Sequence, residues 1–258
     1  MGGQIAGALL DSVRVPPGEA AVCWLGQAGF WVRDAEGTTF VIDPYLSDCG
    51  NRIRGFKRLS AQLFTIDSLK PDYYCITHTH FDHFDFDTVP LAHQLTQCRF
   101  AGPESCQLEL EKLGVPAGRR RLLSAGDSDD YRGLRIEAVP ADHGDMAPDA
   151  IGILLYVGRH VIYFSGDTAY HPEWNRRLRE KKPDIGCLSM NGAFGNMNAQ
   201  QAAQAAAELG LQTAIPCHYW TFAEHGGDPL AFSERLRRDT PSCTPLLMRQ
   251  GEIWITGR

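Results

Sequence analysis

Between residues 77 and 83 the chain reads Thr77-His78-Thr79-His80-Phe81-Asp82-His83, which places three imidazoles and a carboxylate within six residues. A hydrophobic core has no use for such a run, whereas imidazole nitrogens and a carboxylate at this density are the donor set of a divalent cation. The run follows Tyr73-Tyr74-Cys75-Ile76, an aromatic and β-branched stretch that predicts a short buried strand. Side chains of an extended segment alternate faces, so His78 and His80 point the same way and can grip one cation. A turn after Phe81 swings Asp82 and His83 toward a second position close by, so one segment can seed two metal sites. The plain alternative is a solvated, histidine-rich loop. His-x-His-x-Asp-His at a strand end, which combines ligand type with spacing, favours the metal.

The same chemistry recurs farther along. Leu134 to Val139 alternates as a half-buried strand should and runs into Pro140-Ala141-Asp142-His143. His160 to Phe164 runs into Ser165-Gly166-Asp167-Thr168, and Thr213 to Cys217 runs into His218. Strand ends of an α/β core gather on one edge, where sites form. Of the nine histidines in the chain, five belong to the set His78, His80, His83, His143 and His218. Alone, His143 or His218 reads as readily as a surface or satisfied core histidine, and Asp167 as a turn residue. Beside the first motif they become the expected remaining ligands. Asp43, at the end of Phe40-Val41-Ile42-Asp43, is either an acceptor behind a ligand histidine or a turn carboxylate.

Two divalent cations held in this way can share a water, lower its pKa toward neutrality and present it as a hydroxide, while polarising a carbonyl or phosphoryl oxygen. Asp82, a ligand with a spare oxygen, is the candidate for handling the proton. A His-rich, sulfur-free set suits zinc, manganese or iron. Asn191 with Gly192, Tyr219 with Trp220, and His225 follow strand ends or the last ligand and are candidates to line a substrate pocket, each with packing as its alternative. His171, close after Asp167, is similar. Cys217 reads as a buried strand cysteine. The run from Ser47 to Ser60 carries Arg52, Arg54, Lys57 and Arg58. It is a solvated loop or a lid that offers Arg54 and Lys57 to an anionic substrate.

The elements that must position these groups alternate in a consistent plan. Short strands are expected near 20 to 25, 29 to 33 and 39 to 43, then at 73 to 76, 98 to 101, 134 to 139, 150 to 157, 160 to 164, 184 to 190 and 213 to 217, with two more at the end of the chain. Helices are expected near 86 to 95, 104 to 113, 172 to 181, 198 to 209 and 228 to 238. Residues 1 to 19 give no strong pattern, and Pro216 suggests an edge or a bend. Antiparallel strands followed by strand and helix alternation, in both halves, fit two mixed sheets packed face to face with helices outside, in the α/β (α+β) class.

With 258 residues, 43% of them hydrophobic and 22% charged, one sizeable core and a single domain spanning 1–258 are expected. A net charge of −6 and a pI near 5.8 argue against nucleic acid or an anionic membrane as partner. Eight cysteines without a Cys-x-x-Cys pair read as reduced core thiols of a cytoplasmic protein. No stretch suggests a signal peptide or a membrane span. A small-molecule substrate is the expected partner, and the oligomeric state stays open, a homo-oligomer included.

The pattern His78-x-His80-x-Asp82-His83 with His143, Asp167 and His218 resembles the metallo-β-lactamase superfamily of binuclear hydrolases, over nearly the whole chain. That resemblance implies an αββα sandwich, one metal on His78, His80 and His143, a second on Asp82, His83 and His218, and Asp167 bridging both. Within it, Trp24-Leu25-Gly26 with Gly29 and Trp31, Ser165-Gly166-Asp167 with Tyr170, and Ile215-Pro216 through His218 to Asp228-Pro229 look like the L-ascorbate-6-phosphate lactonase group. Members of that group carry a second histidine where Tyr219 stands here. The likeness implies a lactonase of a small, phosphorylated or related carbohydrate lactone and favours manganese. The same metal site would support a phosphodiesterase or nuclease.

Overall fold

The structure, a computed structural model, describes residues 2–257, with side chains from residue 7 onward. β1 (Ala21–Gly26), β2 (Gly29–Arg33) and β3 (Thr39–Ile42) run antiparallel, and their successive side chains leave opposite faces. Val22, Trp24, Phe30, Val32, Phe40 and Ile42 therefore join one buried cluster, while Ala21, Cys23, Leu25, Trp31 and Val41 join another. β4 (Tyr73–Cys75), β5 (Arg99–Gly102) and β6 (Arg120–Leu122) extend this sheet in parallel. Parallel neighbours need crossovers. These contain α2 (Cys49–Arg54), α3 (Ile66–Leu69), α4 (Thr88–Leu95) and α5 (Glu104–Lys112). Ile66, Leu69, Val89 and Leu110 from three of them close the second cluster over the outer face.

The second sheet repeats the plan. β7 (Ser128–Tyr131), β8 (Leu134–Pro140), β9 (Ile151–Val157) and β10 (His160–Phe164) are antiparallel, and β11 (Ile185–Ser189), β12 (Thr213–Cys217) and β13 (Thr244–Pro245) continue in parallel. Its outer face is covered by α6 (Pro172–Arg179), α7 (Ala199–Leu209) and α8 (Pro229–Asp239), and β14 (Ile253–Ile255) returns to the first sheet beside β1. Phe30 and Phe164, with ring centroids 5.5 Å apart, meet across the two sheets. The layering is thus helix, sheet, sheet, helix, with seven strands in each sheet.

This topology decides where the site lies. β8 and β10 flank the antiparallel β9 and so run the same way, and β10 to β12 are parallel. Their carboxyl ends share an edge, and Ile151 N donates to Thr77 O at 3.1 Å, tying that edge to the loop after β4. Gly166, at φ 57°, makes the turn after β10. A Cβ there would lie 3.0 Å from both Ile151 O and Thr77 Cβ, so the close approach of the two sheets needs glycine.

Several expectations need adjusting. A helix, α1 (Gly2–Ser12), stands where residues 1 to 19 gave no strong pattern, with Leu10 seated in the outer core. α2 forms inside the stretch read as a loop or lid. β6 and β7 went unforeseen; β7 is Ser-Asp-Asp-Tyr, weak in β-propensity, and exists because β8 offers it a ladder. Pro216 pairs with Leu188 on one side but lies past the two-residue β13 on the other, which is why its missing N–H is tolerated.

Candidate metal centre

Two groups of donor atoms form at the shared edge: His78, His80, His143 and Asp167, then Asp82, His83 and His218, the atoms of each lying within 4.8 Å of one another. In the first, His80 Nδ1 is 3.0 Å from His78 Nε2 and 3.2 Å from His143 Nε2. In the second, His218 Nε2 is 3.2 Å from both His83 Nε2 and Asp82 Oδ2. Asp167 divides itself between them. Its Oδ2 is 3.7 Å from His143 Nε2, and its Oδ1 is 3.1 Å from His218 Nε2 and 3.2 Å from His83 Nε2. Oδ1 is buried, yet it has hydrogen-bond geometry to neither imidazole. Nitrogen facing nitrogen at hydrogen-bond distance, around a carboxylate oxygen with no donor, is an arrangement that cations shared by these lone pairs would explain. The residues therefore fit two divalent ions of the zinc, manganese or iron type.

The groups behind the ligands fix which nitrogen faces the cluster. Thr77 donates to Asp43 through Oγ1 at 2.6 Å and through its backbone N–H at 2.8 Å, and His83 Nδ1 lies 2.7 Å from Asp43 Oδ2. An ionised carboxylate only accepts, so His83 carries a proton on Nδ1, and Nε2 is the nitrogen it can offer to a cation in exchange for its second proton. Since the Thr77 hydroxyl is spent on Asp43, its oxygen can accept from His78 Nδ1 at 3.1 Å, which frees His78 Nε2 in the same way. Asp43, Gln27 and His218 all hold left-handed backbone, at φ 45°, 52° and 61°. Such conformations in residues other than glycine cluster where a site demands them.

Gln27, missed in the sequence, is fully buried beside the second group. Its Nε2 is 2.7 Å from Asp82 Oδ2 and 2.8 Å from His225 Nδ1. Asp82 can accept only, so the amide N–H groups face both partners, His225 Nδ1 accepts, and His225 bears its proton on Nε2. Asn196 Nδ2 donates to Asp167 Oδ2 at 2.8 Å. The only sequence signal for Gln27 is a polar side chain between two apolar strands; Asn196 has none.

Charge follows geometry. Burial, then the neighbouring His83, holds the His78 pKa well below the ordinary histidine value, and burial lowers His80 and His143. Burial opposes charge on His83 as well, but Asp167, Asp43 and Asp82 outweigh it and raise its pKa well above normal. For Asp82 and Asp167 burial pulls upward, and the surrounding imidazoles, His83 and His218, win and hold both carboxyls down. Burial, with His218 nearby, lowers His225 to about 4, so it is neutral at pH 7.

A cleft of about 680 Å³ opens above the centre, with His80, Asp82, His143 and Asp167 in its floor and Phe56, Phe81 and Phe194 among its walls. Of the expected substrate contacts, Arg54 and His225 line it. The other four lie elsewhere. Lys57 is exposed outside the cleft. Asn191 is buried and lines a separate hollow with Asn198 and Asp228. Tyr219 stacks on Trp24 in the core at 5.3 Å. Trp220 is exposed and donates Nε1–H to Gly227 O at 3.1 Å. Arg52 pairs with Asp87, and Arg58 lies 4.8 Å over the Tyr45 ring and donates to Tyr45 O and Ser47 O. Arg52 and Arg58 of the basic run are thus structural. His171 pairs with Asp142 at 2.6 Å beside a different cavity, and burial pushes the Cys217 thiol up.

A beta-lactamase superfamily domain matches residues 38–219. A UPF0173 metal-dependent hydrolase of Ruegeria pomeroyi is 32% identical over 216 residues, covering 78% of this chain and 86% of the relative. One of Thermoplasma volcanium is 28% identical over 220 residues, covering 83% and 90%. Among solved structures, Igni18, a metallo hydrolase from Ignicoccus hospitalis, superposes with a TM-score of 0.77 at 21% identity over 93% of this chain and 99% of its own. An isothiocyanate hydrolase from Delia radicum gut bacteria superposes with a TM-score of 0.72, also at 21% identity, over 91% and 98%. At such identities the structural likeness speaks for the fold alone.

Proposed function

Because this chain belongs to the beta-lactamase superfamily, we propose that it is a metal-dependent hydrolase that opens the ester bond of a small lactone. The observation that carries the reading is the position of Asp167, one oxygen toward each donor group at the floor of an open cleft. Two bound divalent cations would supply Lewis acidity and a water of near-neutral pKa. The chain's own residues do the rest. Asp82, held by Gln27 through Oδ2, is the group placed to take a proton and return it to the departing alkoxide. His225, kept neutral and with its proton on Nε2, offers a donor to a substrate oxygen in the cleft. Among the described residues that line the cleft, Arg54 is the cation available to a substrate anion. The lactone is supported by the stretches around Trp24, Asp167 and His218 that look like the ascorbate-phosphate lactonases, and manganese by the same likeness. A cytoplasmic location fits eight buried free cysteines, and no helix among the described residues is long and apolar enough to cross a membrane.

Purified protein should carry about two equivalents of manganese or zinc by elemental analysis and hydrolyse lactones. Metal bound without lactone turnover, accompanied by cleavage of bis-p-nitrophenyl phosphate, would overturn the lactone in favour of a phosphodiesterase. Arg54→Glu tests the anion: KM for phosphorylated lactones should rise several-fold, and an unchanged KM removes Arg54 from substrate binding.

A further inference from the structure

We propose that the substrate carries an aromatic ring, or a flat apolar group of that size, next to its scissile carbonyl. This rests on the hydrolase reading and concerns what the cleft walls select. Ile53, Phe86, Met146 and Phe194 are 41%, 37%, 50% and 46% exposed, although apolar side chains of this size gain by burial. All four line the cleft that has candidate metal-ligand side chains in its floor. An exposed apolar cluster rimming a polar floor marks a ligand surface. Phe194 adds a second, independent sign: it holds left-handed backbone at φ 54°, a conformation bulky residues avoid. That backbone stands its ring 6.1 Å from Phe56 and 5.5 Å from His225, and Phe56 in turn lies 5.7 Å from Phe81. The tilted rings make an aromatic wall directly over the donor groups, spaced for edge and offset contacts with another ring.

The polar content of the walls points the same way. Apart from the donor groups in the floor, only Thr79, Arg54 and His225 bring side-chain polar atoms to the lining. A sugar lactone would set several hydroxyls against phenyl rings with few partners, which is costly. An aryl lactone places its ring on Phe194 and Phe56 and asks only one donor for its carbonyl.

The test separates recognition from turnover. 2-Phenylbutanoate and butanoate would be titrated calorimetrically into the full-length protein, and α-phenyl-γ-butyrolactone would be compared with γ-butyrolactone, which shares its ring and primary alkoxide leaving group, after manganese or zinc loading. The phenyl compounds should bind at least about tenfold more tightly and show a similarly higher kcat/KM. Phe194→Ala should bring both ratios toward one, whereas Trp220→Ala, exposed outside the cleft, should leave them in place. Phenyl and plain compounds binding within about twofold of each other would overturn the aromatic subsite. A preserved phenyl preference in binding without hydrolysis of either lactone would keep the subsite and sink the lactonase instead.

Discussion

His83 is the most constrained group in the centre, fully buried and facing Asp43, Asp82 and Asp167. Asp43 is the nearer partner of its outer nitrogen, at 2.7 Å against 3.3 Å for the Thr77 hydroxyl, and the only charged one, so Asp43 sets both ring orientation and ligand basicity. Asp43→Asn keeps the shape and removes the charge; metal affinity should fall by roughly 10- to 100-fold, read by competition with a chromophoric chelator, and an affinity within twofold of wild type would dismiss that role. The legibility of single residues follows from the same chemistry. The seven candidate donors that the structure brings together were legible because a metal site restricts a position to very few side-chain types. Gln27, Asn196 and Phe194 were not, since a glutamine or phenylalanine acquires a role only from what stands opposite it, and that partner comes from a distant part of the chain. Tyr219 was misplaced for the converse reason: adjacency to His218 says nothing about which face of the strand end it occupies.

At the scale of elements, α7 controls more than its own stability. Asn198 accepts from Gln201 N and Gln201 accepts from Asn198 N, both at 3.0 Å, and Gly210 closes the other end in left-handed backbone. Just before this cap, Asn196 holds Asp167, Met197 N donates to Thr168 O, and Phe194 stands in the cleft wall. Asn198→Ala should cost about 1 kcal/mol in urea unfolding and also weaken any preference of the cleft for an aryl group, because the loop it anchors carries the wall. A stability loss with no change in ligand preference would show the cap and the wall to be independent. This helix was readable from its cap and stop residues. β7 and α2 were not, because neighbours create them: β8 supplies the ladder for β7, and Asp85, which accepts from Leu46 N and Ser47 N at 2.8 Å, ties down the loop leading into α2.

Across the whole molecule the two sheets are joined at opposite ends by different means. At one end, donors from loops of both sheets converge, so a bound cation cross-links them. Metal at about 100 times its Kd adds roughly 2.7 kcal/mol per site, a rise in Tm of about 5 to 10 °C over chelator-treated protein at about 2 to 4 °C per kcal/mol. At the other end, Glu19 receives a hydrogen bond from Thr256 beyond β14 at 2.8 Å, lies 3.0 Å from His160 Nε2 on β10 and pairs with Arg159. The hydrogen bonds from His160 and then Thr256 lower the Glu19 pKa. A carboxyl lowered on folding contributes stability that is full above its unfolded value of about 4.3 and is lost as pH falls through the folded value. In chelator, where the metal cannot mask it, Glu19→Gln should lower Tm at pH 7, and that deficit should shrink as the pH drops below about 4. Calorimetry at the two pH values checks this; a deficit equal at both would mean that Glu19 acts through packing and that its charge does not join the sheets.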